Sequence, residues 1–337
     1  MLKKTSFTLS FLFLFVLSSS LYAQNQSPAL KKIIIDAGHG GKDQGAEGLV
    51  TTEAQICLAI SKKLGDQIGI VFPDIKTLFT RTTDIIPGNK SNKDEGLRYR
   101  ADFANQSSAD LFISIHCNSA GRAPGGWNER RIVDYDEKVS YVGKGKKKKK
   151  VVRKIPIYES FYIPNTTKGT ETYIWTAKEN SHKEQMVSIP EPSSEEDSSI
   201  VVPDDDPTIK ALRLLYTRKY FAKSYQFADF VQQEFIKSGR INRGVKQRNE
   251  KGIWVLHATG MPSVLIEVGF ISNKEEEAYL ISNDGQNEIV GNIIEAIRNY
   301  MQFIQKQKTD KNTTATTQIL NSKFDNIQSD DKKVNGY

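Results

Sequence analysis

The stretch that most constrains this chain is Lys31 to Ala46, KKIIIDAGHGGKDQGA, where a continuous apolar run stops at a glycine turn carrying a histidine. Ile33, Ile34 and Ile35 do not alternate with polar residues, which fits a strand covered on both faces, and Gly38, Gly40 and Gly41 break it. In an open α/β sheet, ligands collect at the carboxyl ends of strands, and glycines let backbone approach a ligand closely. His39 therefore stands where chemistry is usually found, although a Gly-His-Gly turn on its own also reads as plain loop.

At 337 residues the chain is long enough for one large domain with insertions or for two of ordinary size. Lys3 and Lys4 precede an apolar block from Phe7 to Leu17 and a small-residue stretch to Ala23, the layout of a signal peptide over 1–23. The block is too short to span a bilayer, so an exported protein with no transmembrane span after cleavage is expected, most simply in a periplasm. Losing Lys3 and Lys4 takes two from the formal charge of +7 and leaves a basic chain suited to an anionic partner such as a cell wall. Only Cys57 and Cys117 are present, which excludes a disulfide scaffold and a cysteine-built metal site. Both lie in apolar patterns, so buried free thiols fit better than a disulfide.

Thr51 or Thr52 is placed to cap a helix to about Gln67, with Ile56, Ile60 and Leu64 at spacings of four. Glu53 falls on the same face, where a carboxylate must be paired or metal-bound; the alternative is a first-turn glutamate interacting with the helix dipole. Lys76 to Thr80 reads as a strand, Leu97 to Asn105 as a helix, and Leu111 to Ile115 as a central strand that ends at His116. Residues 121–168 lose periodicity and hold the block Lys146 to Lys150; they read as an insertion, a β-hairpin with Val151 to Tyr158 as one arm. A second insertion, 179–208, is rich in Asp, Glu and Pro and reads as an acidic loop. Ile209 to Lys237 is helical, with Leu212, Leu215, Ala222, Tyr225, Ala228, Val231 and Phe235 on its apolar side and Gly239 as a stop. Ile253 to Leu256 and Ser263 to Val268 read as strands, the second carrying Glu267 near its carboxyl end. Helices over Lys274 to Ile281 and Asn287 to Ile304 close a domain spanning 24–305, and 306–337 reads as a disordered polar tail.

Two imidazoles and a carboxylate, His39, Glu53 and His116, form a recognised catalytic zinc set with the fourth position open to water. Zinc lowers the pKa of its water to about 7, and a second carboxylate can carry that proton to a leaving amine; Glu267 is the candidate. IIIDAGHGGKDQGA, LRYRADFAN, ADLFISIHCNSA, KGTETYIW, NRGVK and SVLIEVGFISN, in that order, resemble the zinc-dependent N-acetylmuramoyl-L-alanine amidases of the AmiA, AmiB and AmiC type over about residues 31–304. The resemblance implies an α/β fold with a six-stranded twisted mixed sheet flanked by helices, and one Zn2+ per chain. It implies cleavage of the amide between N-acetylmuramic acid and L-alanine in peptidoglycan, typically at daughter-cell separation. His39, Glu53 and His116 match the family's zinc ligands and Glu267 its catalytic glutamate. Arg81, Arg100, Arg243 and Lys246 also fall in family motifs, as substrate-binding candidates or structural ion pairs.

The insertion 121–168 departs from the family pattern, and binding of an anionic wall polymer is its sharper reading against a solvated loop. The acidic stretch 179–208 stands where cell-division amidases carry an inhibitory helix, so autoinhibition through Glu179 or Glu184, relieved by an activator protein, is the expectation. A monomer without affinity for nucleic acid is expected. The competing readings are a zinc peptidase acting on stem peptides and a catalytically silent wall-binding module. His182 and His257 read as ordinary residues, because neither has ligand spacing to a partner.

Overall fold

The computed structural model describes residues 29–176, 180–187, 206–248 and 252–334, with side chains described as far as residue 310. Strand β1 (Lys32–Ala37) runs into the glycine turn, and helix α1 (Glu53–Val71) leads back to β2 (Lys76–Phe79). Helix α2 (Lys93–Gln106) leads to β3 (Leu111–Asn118), followed by a hairpin of β4 (Gly126–Val142) and β5 (Lys149–Pro164). Then come β6 (Thr170–Ile174), α3 (Asn180–Met186), α4 (Pro207–Lys237) and β7 (Asn242–Gln247). Helix α5 (Trp254–His257), β8 (Ser263–Phe270), α6 (Lys274–Ile281) and α7 (Asn283–Val334) complete the chain.

Six strands form one mixed sheet in the order β2-β1-β3-β8-β6-β7. β2, β1, β3 and β8 are mutually parallel, β6 runs antiparallel to β8, and β7 is parallel to β6. The three central strands are those read as continuous apolar runs. Ile33, Ile34, Ile35, Ile113, Ile115, Val264 and Ile266 are fully buried. Complete burial of such a side chain contributes roughly 1.5–3 kcal/mol, so the parallel core is where the fold is strongest. Helix α1 packs on β1, β2 and β3, and α4 on β6, β7 and β8.

Several expectations are corrected. Thr52 is the N-cap of α1, but its hydroxyl donates to Gln44 Oε1 (2.8 Å) and makes no capping bond. Strand β3 continues past His116 to Asn118. Ile253 to Leu256 is not a strand: Trp254–His257 is a helical turn, and the sixth strand is the polar NRGVKQ segment. A four-residue apolar run is too short for periodicity to separate helix from strand. On α4 the sheet-facing side is Ser224, Phe227, Ala228, Val231 and Phe235, whereas Leu215, Ala222 and Tyr225 are exposed. The backbone of the expected disordered tail continues α7 to Val334, over a stretch without Gly or Pro. The insertion is a β-hairpin, as read, but far longer than one eight-residue arm.

Contacts divide the chain into two compact units, Lys32–Tyr300 and one made of Met1–Lys31 with Met301–Tyr337. The first unit carries the whole sheet and the site described next. No helix among the described residues is long and apolar enough to cross a membrane.

Candidate metal centre

The site lies at the carboxyl ends of β1, β3 and β8, and each polar side chain reaches it for a local reason. β1 ends at Ala37, and the next residues are pinned by Gly38 N–H donating to Ile115 O (3.0 Å). A side chain at Gly38 would place its Cβ 2.6 Å from the His116 imidazole, and one at Gly45 would place it 2.5 Å from Glu53 Oε2. Glycine is required at both because the loop closes directly on the ligating groups. His39 has φ 56°, a left-handed conformation that costs a non-glycine residue roughly 1–3 kcal/mol and recurs at functional sites.

Glu53 opens α1 on its buried face, as the sequence spacing predicts, and meets both histidines. Its Oε2 is 3.1 Å from His39 Nε2 and its Oε1 is 2.7 Å from His116 Nδ1. Backbone N–H groups of Ala46 (2.9 Å) and Cys117 (3.1 Å) donate to the same carboxylate and fix its orientation. One ligand atom from each of His39, Glu53 and His116 lies within 4.8 Å of the other two, the one such group found among the described residues. Burial pushes the Glu53 carboxyl up, but hydrogen bonds and charge from His116 and His39 outweigh it and leave its pKa well below the ordinary range. Asp43 Oδ1 lies 3.0 Å from His39 Nδ1, at ion-pair distance though without hydrogen-bond alignment. Burial opposes protonation of His39; Asp43 and Glu53 outweigh it and raise its pKa to about 9. An aspartate held at about 2 behind an imidazole is the usual device for orienting a metal-bound ring.

Glu267 stands beside His116 in the β3–β8 register, facing the same pocket of ≈ 400 Å³. Its Oε2 is buried and has no hydrogen-bond partner among the described residues. Burial first, then the Glu53 and Glu171 charges, push its carboxyl up to about 8. Buried polar atoms are normally satisfied, so an orphan carboxyl oxygen aimed into a pocket beside two imidazoles and a carboxylate marks a place meant for a ligand or water. The donor set suits zinc, which takes imidazole and carboxylate and leaves one tetrahedral position open in catalytic sites.

The other sequence candidates divide. Arg81 is buried and donates to the carbonyls of Ala37 (3.1 Å), Gly38 (2.6 Å) and Ala54 (2.8 Å). Arg100 is buried, ion-paired to Asp36, and donates to the carbonyls of Ala37 (2.8 Å) and His39 (2.7 Å). Both hold the site loop, and Arg100 also lines the pocket. Arg243 (2.6 Å) and Lys246 (2.7 Å) both hold the buried Glu171. Arg248 is the basic residue of that segment that lines the pocket, together with Tyr173, Asn118 and Trp254. These four and Asp43 went unnoticed in the sequence; Asp43, four residues after His39, carried the clearest signal. Glu184 is partly buried on α3 and is not among the residues lining the pocket, while Glu179 lies outside the described residues. Helix α3 is docked by Lys183, fully buried, whose ammonium donates to Leu256 O (2.6 Å), Thr259 Oγ1 (3.2 Å) and Ser263 Oγ (3.0 Å). Cys57 and Cys117 are buried free thiols. The rings of His182 and His257 lie 5.6 Å apart, outside the His39 group.

Comparison with known proteins identifies the family of the chain. The family profile described as N-acetylmuramoyl-L-alanine amidase matches residues 33–299. AmiC of Escherichia coli O6:H1 is 27% identical over 272 residues, covering 80% of this chain and 52% of the relative. A probable AmiB of Haemophilus influenzae is 25% identical, covering 95% and 66%. The chain thus spans about half to two thirds of the length of these relatives. Among solved structures, the CwlD amidase of Clostridioides difficile, determined with the GerS lipoprotein, superposes with a TM-score of 0.50 at 24% identity, covering 81% of this chain and 99% of that one. That likeness establishes the fold.

Proposed function

The chain belongs to the N-acetylmuramoyl-L-alanine amidase family, and on that premise we propose that it hydrolyses the amide joining the lactyl group of N-acetylmuramic acid to the first L-alanine of the peptidoglycan stem peptide. The observation that carries the reading is the convergence of His39, Glu53 and His116 on one side of a pocket whose adjoining residue, Glu267, keeps an unsatisfied carboxyl oxygen.

His39, Glu53 and His116 would hold one zinc ion; when bound, it would lower the pKa of water and polarise the amide carbonyl. Asp43 orients His39, and the Ala46 and Cys117 amides orient Glu53. Glu267 acts as the proton carrier: as carboxylate it takes a proton from the attacking water, and as acid it returns that proton to the departing L-alanine nitrogen. Tyr173 and Arg248 line the Glu267 side of the pocket, where a guanidinium suits a stem-peptide carboxylate.

The sequence pattern adds export through the 1–23 signal segment, a periplasmic address, action on the wall at daughter-cell separation, and a catalytic domain at 24–305. Autoinhibition by 179–208, relieved by an activator, belongs to the same reading; since Glu184 stands off the pocket, Glu179 is the remaining acid named for it.

The test is digestion of purified peptidoglycan by the chain from Gln24, with and without chelation, with fragments read by mass spectrometry. Release of whole stem peptides with an L-alanine amino terminus, stopped by chelation and by Glu267→Gln, is expected. Cleavage between amino acids would replace the reading with a zinc peptidase. Silence of the metal-loaded chain, persisting after deletion of 188–205 together with Glu179→Gln, would leave a wall-binding module.

A further inference from the structure

The long hairpin contributes no residue to the pocket. Arms of 17 and 16 residues pair from Gly126↔Pro164 to Val142↔Lys149, forming a separate two-stranded sheet. At about 3.3 Å per residue the ribbon reaches roughly 50 Å. It is tied down at its base, where Gly125 N–H donates to Ser272 O (2.9 Å) and the Tyr162 hydroxyl to Gly125 O (2.8 Å). Beyond the base almost every residue is exposed.

The two halves of the ribbon differ. The base half mixes both signs, with Glu129, Arg130, Arg131, Asp134, Asp136, Glu137 and Glu159. The outer half, Lys138 to Lys154, carries nine basic side chains and no acid. Interleaved with them are Val139 (45% exposed), Tyr141 (65%), Val142 (63%) and Val152 (44%). Strand alternation and the Val139↔Val152 pair put Val139, Tyr141 and Val152 on one face and Val142 and Val151 on the other. A two-stranded ribbon with apolar residues on both faces has nothing of its own to bury them against.

We propose that the outer end of this hairpin docks end-on into an anionic lipid surface, holding the enzyme at a membrane while the site works at a distance set by the ribbon. Charge complementarity selects an anionic partner. The apolar residues select a lipid surface over a linear wall polymer: a polymer lying along the ribbon covers one face, whereas insertion of the tip to headgroup depth covers both. Tyrosine and valine at that depth sit in the boundary where amphipathic anchors place apolar groups, with lysines among the lipid phosphates. The ribbon does not span, because an open two-stranded edge would leave backbone groups without partners in hydrocarbon.

The test uses the chain from Gln24, which excludes the apolar 7–17 segment, in flotation with vesicles of phosphatidylcholine alone or phosphatidylcholine with phosphatidylglycerol. The chain is expected to float with the anionic vesicles only and to be released by salt, a result that needs no variant. Joint Lys146→Gln, Lys147→Gln, Lys148→Gln, Lys149→Gln and Lys150→Gln substitution should weaken binding at least about a hundredfold. Tyr141→Ser with Val142→Ser should weaken it about tenfold. Failure to float, equal flotation with neutral vesicles, or undiminished flotation of the five-lysine variant would overturn the proposal. Pelleting with purified peptidoglycan in place of flotation would also overturn it and assign the ribbon to the wall. Because the ribbon lies outside the pocket, these outcomes are independent of whether the chain proves to be an amidase.

Discussion

Asp36 on β1 and Glu267 on β8 flank the same central strand β3, yet the fold treats their carboxylates in opposite ways. Asp36 is 1% exposed and fully partnered: the Thr80 and Ser114 hydroxyls each donate to it at 2.6 Å and Arg100 forms an ion pair with it. Burial pushes its pKa up, but the Arg100 charge and the Ser114 and Thr80 hydroxyls outweigh burial and hold it below its ordinary value of 3.8. Glu267 has a buried oxygen with no partner, and burial with the neighbouring Glu53 and Glu171 charges pushes it up to about 8. The first carboxylate is a joint: through Arg100 it ties β1 to the His39 carbonyl. The second keeps one oxygen open beside the pocket. Burial alone does not separate structural from functional acids; whether the surrounding structure satisfies them does.

The sharpest way to break the comparison is Glu267→Gln. Turnover on peptidoglycan should fall about 10²–10⁴-fold, with the melting temperature unchanged or raised. Retained turnover would show that the open oxygen is not the proton carrier. Asp36→Ala should do the reverse, costing about 3–5 kcal/mol in denaturant unfolding because Arg100 is left buried without its charge partner. The same carboxylate sets a pH dependence. A depressed folded-state pKa contributes stability that is present above the unfolded value near 3.8 and lost as pH falls through the folded value. Wild type should therefore lose stability more steeply than Asp36→Asn on acidification below about pH 4. Asp43→Asn sharpens the contrast at the candidate metal centre: zinc affinity measured by competition with a chelator should drop about 10–100-fold while the fold is kept. The smallest effect is expected at Arg243→Gln, since that side chain is 37% exposed and Lys246 still holds Glu171; about 1 kcal/mol or less in thermal unfolding is predicted. A much larger loss there would make the Glu171 cluster a second joint of the Asp36 kind.

The four groups proposed to carry the chemistry were legible because each ends or adjoins a continuous apolar run. A strand-end histidine or glutamate has little structural reason to be there, and Glu53 stands out by sharing a helix face with Ile56 and Ile60. The arginines stayed open between substrate contact and structural ion pair because a motif marks position and says nothing of partners. Arg81 and Arg100 sit beside the site but point their donors at backbone carbonyls. Trp254 was hidden for another reason: a short apolar run carries no period, and only its packing made Trp254–His257 a helical turn that lines the pocket.

Composition and spacing by themselves pointed to the layered class, the buried central strands, the hairpin in the first insertion and, as candidates, the groups His39, Glu53, His116 and Glu267. These follow from local rules, because strand burial and helix face are written within a few residues. Only the tertiary structure decided that Asp36 is satisfied and Glu267 is not, that Arg248 and Arg100 line the pocket while Arg81 does not, and that the lysine block stands at the end of a ribbon roughly 50 Å long. Each of those depends on which residues from distant parts of the chain meet. The supply of hydrogen-bond partners to a buried charge is a property of that meeting and not of any segment alone.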